Sequence, residues 1–111
     1  MDIQELHEKA TVAARAAADE LYGKIGERYP CGFAWVTYYP KNKGNTAAGK
    51  AERKLFESIG FKKDYTGKAW QLWNPSRHNT QNMDVKEAGA EAYAKLMQEA
   101  GYAVHAASRM D

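Results

Sequence analysis

Apolar and polar positions in this chain alternate with two different periods. From residue 2 the spacing is helical. Asp2 with Glu5 predicts a capping box, in which side chains satisfy free backbone amides at a helix start. Ile3, Leu6, Ala10, Ala13, Ala17 and Leu21 then fall on one face. That face is alanine-rich, so its neighbour can approach closely. Gly23 and Gly26 weaken the helix and Pro30 lies beyond its end. Phe33 to Tyr39 has the β-branched and aromatic content of a strand, on both faces. "PKNKGN" reads as a loop. A second helix is predicted from Asn45 or Thr46, with Ala48, Ala51, Leu55 and Ile59 inward and Gly60 as its cap. Phe61 to Tyr65, Thr66-Gly67 and Lys68 to Trp73 read as a hairpin. After the polar stretch "NPSRHNTQN", Asp84 and Glu87 suggest a second capping box. Val85, Ala88, Ala92, Leu96 and Ala100 then form a stripe ending at Gly101. Tyr102 to Ala107 alternates as a last strand.

The predicted order is a helix followed by β-α-β-β-α-β. This is an α+β chain, a ferredoxin-like antiparallel sheet with an additional N-terminal helix. Residues 1–28 would be that helix and 31–111 the βαββαβ core of a single domain. A first strand apolar on both faces belongs between two layers. The first helix is therefore expected to cover the sheet face left open by the other two. The last strand is expected to pair with the first in the middle of the sheet. Arg109 would then share a face with His105 and Trp35 and pair with Asp84 or Glu87 at the start of the third helix.

Composition fits a folded domain. The chain has 111 residues, 44% hydrophobic and 27% charged, which argues against global disorder. No apolar run approaches the roughly 18 residues of a membrane span. "MDIQELHEKA" lacks the apolar core of a signal peptide, and Cys31 is the one cysteine, so a reducing cytoplasm is expected. The net charge of +2 predicts no partner, but its distribution does. Residues 40–80 carry nine basic groups against Glu52, Glu57 and Asp64, net +6, while 1–30 and 81–111 are each net −2. The middle of the chain is a candidate anion-facing segment.

Two half-motifs adjoin there. Gly32-Phe33-Ala34-Trp35-Val36-Thr37-Tyr38 is close to an RNA-binding octamer, whose alternate aromatics stack on bases. Cys31 stands where the octamer has a basic residue and Trp35 where it has Phe. The octamer would lie on the first strand instead of the third, and no companion motif is evident on a neighbouring strand. Gly44-Asn45-Thr46-Ala47-Ala48-Gly49-Lys50 approximates a phosphate-binding loop. Ala51 replaces the hydroxyl that holds magnesium, which argues against nucleotide hydrolysis. What remains is a helix N-terminus flanked by Lys41, Lys43 and Lys50, where free amides and the helix dipole attract anions. His7, His78 and His105 show no metal-ligand spacing, and no nucleophile-base pattern emerges. No metal, cofactor or enzymatic activity is expected.

Cys31-Gly32-Phe33-Ala34-Trp35-Val36, the run through "QLW", Gln81-Asn82-Met83-Asp84 with Lys86-Glu87-Ala88, and the terminal Ser108-Arg109-Met110-Asp111 form a pattern. Over residues 31–111 the chain resembles a family of small uncharacterised proteins of tailed bacteriophages. The resemblance implies action in the cytoplasm of an infected bacterium and carries no catalytic residue with it. Two functions follow as expectations. One is a non-catalytic module that binds nucleic acid or a nucleotide through Trp35, Lys41, Lys43, Lys50, Trp73, Arg77, His105 and Arg109. The other is a binder of a host bacterial protein, anchored by Trp70 or Trp73 with Arg77 and His78, because Trp and Arg dominate interface energetics. No membrane partner is expected, and the sequence leaves the oligomeric state open.

Overall fold

The computed structural model describes residues 2–27 and 30–111. It is an α+β structure with three helices and a four-stranded antiparallel sheet. In chain order these are α1 (Ile3–Ile25), β1 (Gly32–Tyr38), α2 (Ala47–Ser58), β2 (Lys62–Lys63), β3 (Trp70–Trp73), α3 (Met83–Glu99) and β4 (Val104–Met110). The strand order is β2-β3-β1-β4. β1 is therefore central, and β4 is an edge strand, not the central strand expected from the sequence. The predicted helix boundary at residue 28 lies outside the described residues. No helix among the described residues is long and apolar enough to cross a membrane.

The caps explain where the helices start. Asp2 Oδ1 accepts from the Glu5 amide, and Thr46 Oγ1 accepts from the Gly49 amide. For α3 the cap is Asn82, whose side chain accepts from Val85 N, and not Asp84. Asn82 is fully buried, and its neighbour Cys31 pairs with it in an isolated bridge. The start of α3 is thereby tied to the start of β1.

The strands divide their side chains by parity. Ala34, Val36 and Tyr38 of β1 are buried, together with Trp70 of β3 and Val104 of β4. They meet Phe56 and Ile59 at the end of α2, Phe61, and Ala90, Tyr93, Ala94 and Met97 of α3. Tyr38 and Phe56 lie ring on ring, with centroids 3.7 Å apart and planes 5° from parallel. This contact sets the rotation of α2. Gly49, Phe56 and Ile59 turn inward, while Leu55, Ala48 and Ala51 of the predicted stripe are exposed. The aromatic ring, with more area to bury, prevails over leucine.

The first helix is placed differently from expectation. α1 packs along α3, not over the open side of the sheet. Its buried row is Ile3, Leu6, Ala10, Ala14 and Ala18, so the stripe follows a four-residue ridge past Ala13 and Ala17. Close approach is possible because Gly89 of α3 sits against Ser76 and the Ala14 carbonyl; a Cβ there would lie 2.6 Å from Ser76 Cβ. With α1 on one side and the sheet on the other, α3 buries a wide face of Val85, Gly89, Ala90, Tyr93, Ala94 and Met97. Only Val85 of the predicted stripe belongs to it. Among the described residues no helix packs on the second face of the sheet.

Candidate functional site

The uncovered face is built by the odd-numbered residues of β1 and their partners. The pairing places them in rows. Phe33 is opposite Arg109. Trp35 lies between Trp73 and Ala107. Thr37 lies between Gln71 and His105, with Lys62 beyond Gln71. Tyr39 follows at the end of β1. Phe33, Tyr39, Trp73, His105 and Arg109 are exposed and Trp35 is half-buried, although Thr37 between them is covered.

Trp35 and Trp73 stack across the β1–β3 pair, with centroids 4.6 Å apart and planes 27° from parallel. That separation matches the spacing of neighbouring strands, about 4.8 Å. The ring planes therefore stand up from the sheet and face along the inter-strand direction. One face of Trp35 is taken by Trp73. The other looks toward β4, where the neighbour in register is the small Ala107. Arg109 and His105 flank Ala107 two residues to either side on the same face. The result is a shelf beside an indole, bounded by two basic side chains. Phe33 meets Trp73 edge-on at 6.1 Å, and the Arg109 guanidinium and Lys86 ammonium lie 5.8 and 5.5 Å from the Phe33 ring centre. Arg109 thus contacts Phe33 and does not pair with Asp84 or Glu87. The reason is parity: α3 packs on the other face, where Ser108 donates its hydroxyl to Glu87.

The half-octamer is therefore a core strand on one side only. Phe33 and Trp35 stand on a solvent-facing surface, and the companion ring comes from Trp73 on β3. Sequence reading named Trp73 beside Trp35 as a ligand residue but found no companion motif on a neighbouring strand. The signal was the alternation of Leu72 on the core side with Trp73 on the other, but the register that brings Trp73 to Trp35 is non-local.

The phosphate-loop half-motif folds around an anion of its own. The Glu52 carboxylate accepts from the amides of Lys41 at 2.7 Å and Asn42 at 3.1 Å, from Asn42 Nδ2, and from the Tyr38 hydroxyl. Burial alone would raise the Glu52 carboxyl, but the hydrogen bonds from Tyr38, Lys41 and Asn42 outweigh it and hold the group below the usual range. Burial, reinforced by Glu52, pushes the Tyr38 hydroxyl up. Arg53 closes the loop by donating to the Asn42 and Gly49 carbonyls. Gly49 is required because a Cβ there would overlap the Lys43 carbonyl oxygen. The amides of Lys41, Asn42, Thr46, Gly49 and Lys50 are engaged within the chain, so the half-motif folds as a turn held by Glu52 and Arg53 with exposed lysines around it.

The eight anticipated ligand residues fall into three places. Trp35, Trp73, His105 and Arg109 share the open face. Lys41, Lys43 and Lys50 surround the start of α2 beyond the end of β1, all exposed. Arg77 lies apart, against α1, where its charge and the burial of His7 lower the His7 pKa, burial being the larger cause. Of the host-protein anchors, Trp73 and Arg77 are exposed, whereas Trp70 and His78 are each 6% exposed. His78 is packed on Tyr22, accepts from Thr80 N and reaches Asp19. Among the described residues no cluster of three or more His, Cys, Asp or Glu could hold a metal ion. Compared with protein-family models, curated proteins and solved structures, the chain matches none.

Proposed function

We propose that this chain is a non-catalytic bacteriophage accessory protein that binds single-stranded nucleic acid on the uncovered face of its sheet. The observation that carries the reading is the half-buried Trp35, stacked on Trp73 on one side and set beside the small Ala107 on the other, between Arg109 and His105. A base fits that shelf because stacking needs only a flat partner and room beside it, and base–aromatic stacking contributes roughly 1–3 kcal/mol per base. Phe33 and the outer side of Trp73 offer further ring surface. Arg109, Lys86 and Lys62 supply cations along the same face, and Lys41, Lys43 and Lys50 add to the field from beyond its end.

We infer also that the sheet is of the ferredoxin-like type. Read from the last strand, the order β4-β1-β3-β2 on a βαββαβ chain supports it. Four-stranded sheets with ring-bearing central strands serve RNA recognition in this way, which is an analogy of architecture. On the phage resemblance of residues 31–111, the activity proposed is one in the host cytoplasm.

Titration with single-stranded oligonucleotides at ~50 mM salt tests the proposal. The expected result is quenched tryptophan fluorescence, with affinity falling as salt rises by about 0.7 log units per log unit of salt for each phosphate contacted. Equal affinity for a mononucleotide would narrow the ligand to a nucleotide. Absence of quenching with any oligonucleotide or nucleotide at this salt overturns the proposal.

A further inference from the structure

We propose that two copies of this chain join edge to edge through β4, making one continuous eight-stranded sheet. The inference starts from the hydrogen bonds of β4. Its odd residues face β1: Tyr39 N donates to the Ala103 carbonyl and Asp111 N to the Cys31 carbonyl, in register with the ladder between them. The N–H and C=O groups of the even residues therefore point away from the sheet. Val104 is already satisfied, since its amide donates to the Tyr102 carbonyl and its carbonyl accepts from Gln98 Nε2 at 2.8 Å. Ala106, Ser108 and Met110 remain, with their outward backbone groups at a straight edge.

That edge lacks the usual protections. It has no proline, no bulge and no lysine, and its outward residues are small or apolar. Met110 is 65% exposed.

Only one two-fold register uses all three free residues without a conflict. Centred on Ser108, it sets Ser108 against Ser108 and Ala106 against Met110 of the partner copy. The exposed Met110 side chain then lies on the partner's Ala106, both on the helix side of the sheet. On the other side His105 meets the partner's Asp111, and Arg109 meets the partner's Ala107. A register centred on Ala107 brings Val104, whose groups are taken, against Met110 and sets Arg109 against the partner's His105. One centred on Ala106 wastes two of the three free residues on Val104 and Tyr102. Charge and free backbone groups thus select the same alignment. A two-fold axis normal to the sheet keeps both uncovered aromatic faces on one side. The pairing does not depend on nucleic-acid binding.

Sedimentation over a concentration series up to ~1 mM, the weak limit of specific association, tests the pairing. Backbone amide exchange by NMR is read on the same samples. The expected result is a monomer–dimer equilibrium in which the amides of Ala106, Ser108 and Met110 gain protection with concentration. Those of His105, Ala107 and Arg109, held by β1, are protected throughout. Ser108→Pro removes an outward N–H, as an edge strand tolerates, together with the hydroxyl that donates to Glu87; it should abolish the dimer while the protein still melts cooperatively, and Ser108→Ala, which loses the hydroxyl alone, should still dimerise. If Ser108→Pro unfolds the chain, Asp111→Lys provides the second test, because it removes the carboxylate that meets His105 of the partner copy and should weaken the dimer at least several-fold. A monomer at every concentration, or a dimer indifferent to Ser108→Pro and Asp111→Lys, overturns the proposal.

Discussion

Trp35 and Trp73 stack on one another from adjacent antiparallel strands, on a face that no helix covers. Two indoles this close couple electronically. The expected signature is an exciton couplet in the circular dichroism of the native protein. Either Trp35→Leu or Trp73→Leu should abolish it, and each should leave a cooperative melt because the pair lies outside the core cluster. A couplet that survives Trp73→Leu contradicts the pairing of β1 with β3.

Ala107 gives the sharpest test of the shelf. Ala107→Leu adds bulk beside the free side of Trp35 without removing a ring or a charge. It should weaken oligonucleotide binding by ~10-fold or more, comparable to the loss of one stacked base. The melting temperature should change little, since surface substitutions of this kind lie within about 0.5 kcal/mol. Unaltered binding would move the ligand elsewhere on the face, toward Phe33.

The carboxylate of Glu52 links β1, the following loop and α2. Its pKa is held below the ordinary 4.5 in the folded chain, so its contribution is present above that value and is lost as pH falls through the folded value. Glu52→Gln should cost about 1–3 kcal/mol at neutral pH, by leaving the loop amides and the Tyr38 hydroxyl poorly satisfied. The variant should also lose less stability than the wild type on acidification. Denaturant melts at neutral pH and in mild acid measure both. Equal acid sensitivity in the two proteins would show that the carboxylate is not the group that titrates.

His7 works in the same direction at higher pH. Its Nδ1 shares a 2.7 Å hydrogen bond with the buried Tyr93 hydroxyl. Burial, with Arg77 nearby, lowers its pKa below the ordinary 6.5. Between the two values the unfolded chain holds a proton that the folded chain does not. Stability is therefore greatest above 6.5 and declines as pH falls toward the folded value. His7→Gln keeps an acceptor for Tyr93 but cannot titrate. From about pH 7.5 to 5.5 the wild type should lose more of its melting temperature than this variant. Parallel declines would refute the assignment.

The parts of the fold that depend on neighbours in sequence were legible. Asp2 and the strand pattern of residues 33–39 announce themselves through local spacing. The positions that depend on distant partners were not. Alanines at 13, 14, 16, 17 and 18 give α1 no preferred side, so its seat on α3 is decided by Gly89 and Ser76, some seventy residues away. Leu55 lost its inward place to Phe56 because Tyr38 offers a ring to stack on. The cap of α3 fell to Asn82 because the bridge with Cys31 fixes the chain there. On the site, the aromatic pair and the parity of Arg109 with His105 could be read. That the face stays uncovered could not, because it follows from where α1 packs.

The division of β1 into an even side that holds the core and an odd side that faces solvent also limits how such a chain can evolve. Loss or gain of a single residue within β1 would reverse every side chain beyond the change. The rings would be driven inward, and Val36 and Tyr38 would be left facing water. Point substitutions on the odd side leave that counting intact. The turn between β2 and β3, by contrast, is exposed over residues 65–68 and can absorb insertions there. Length variation among descendants should therefore collect in that turn, while ligand preference changes residue by residue along a strand of fixed length.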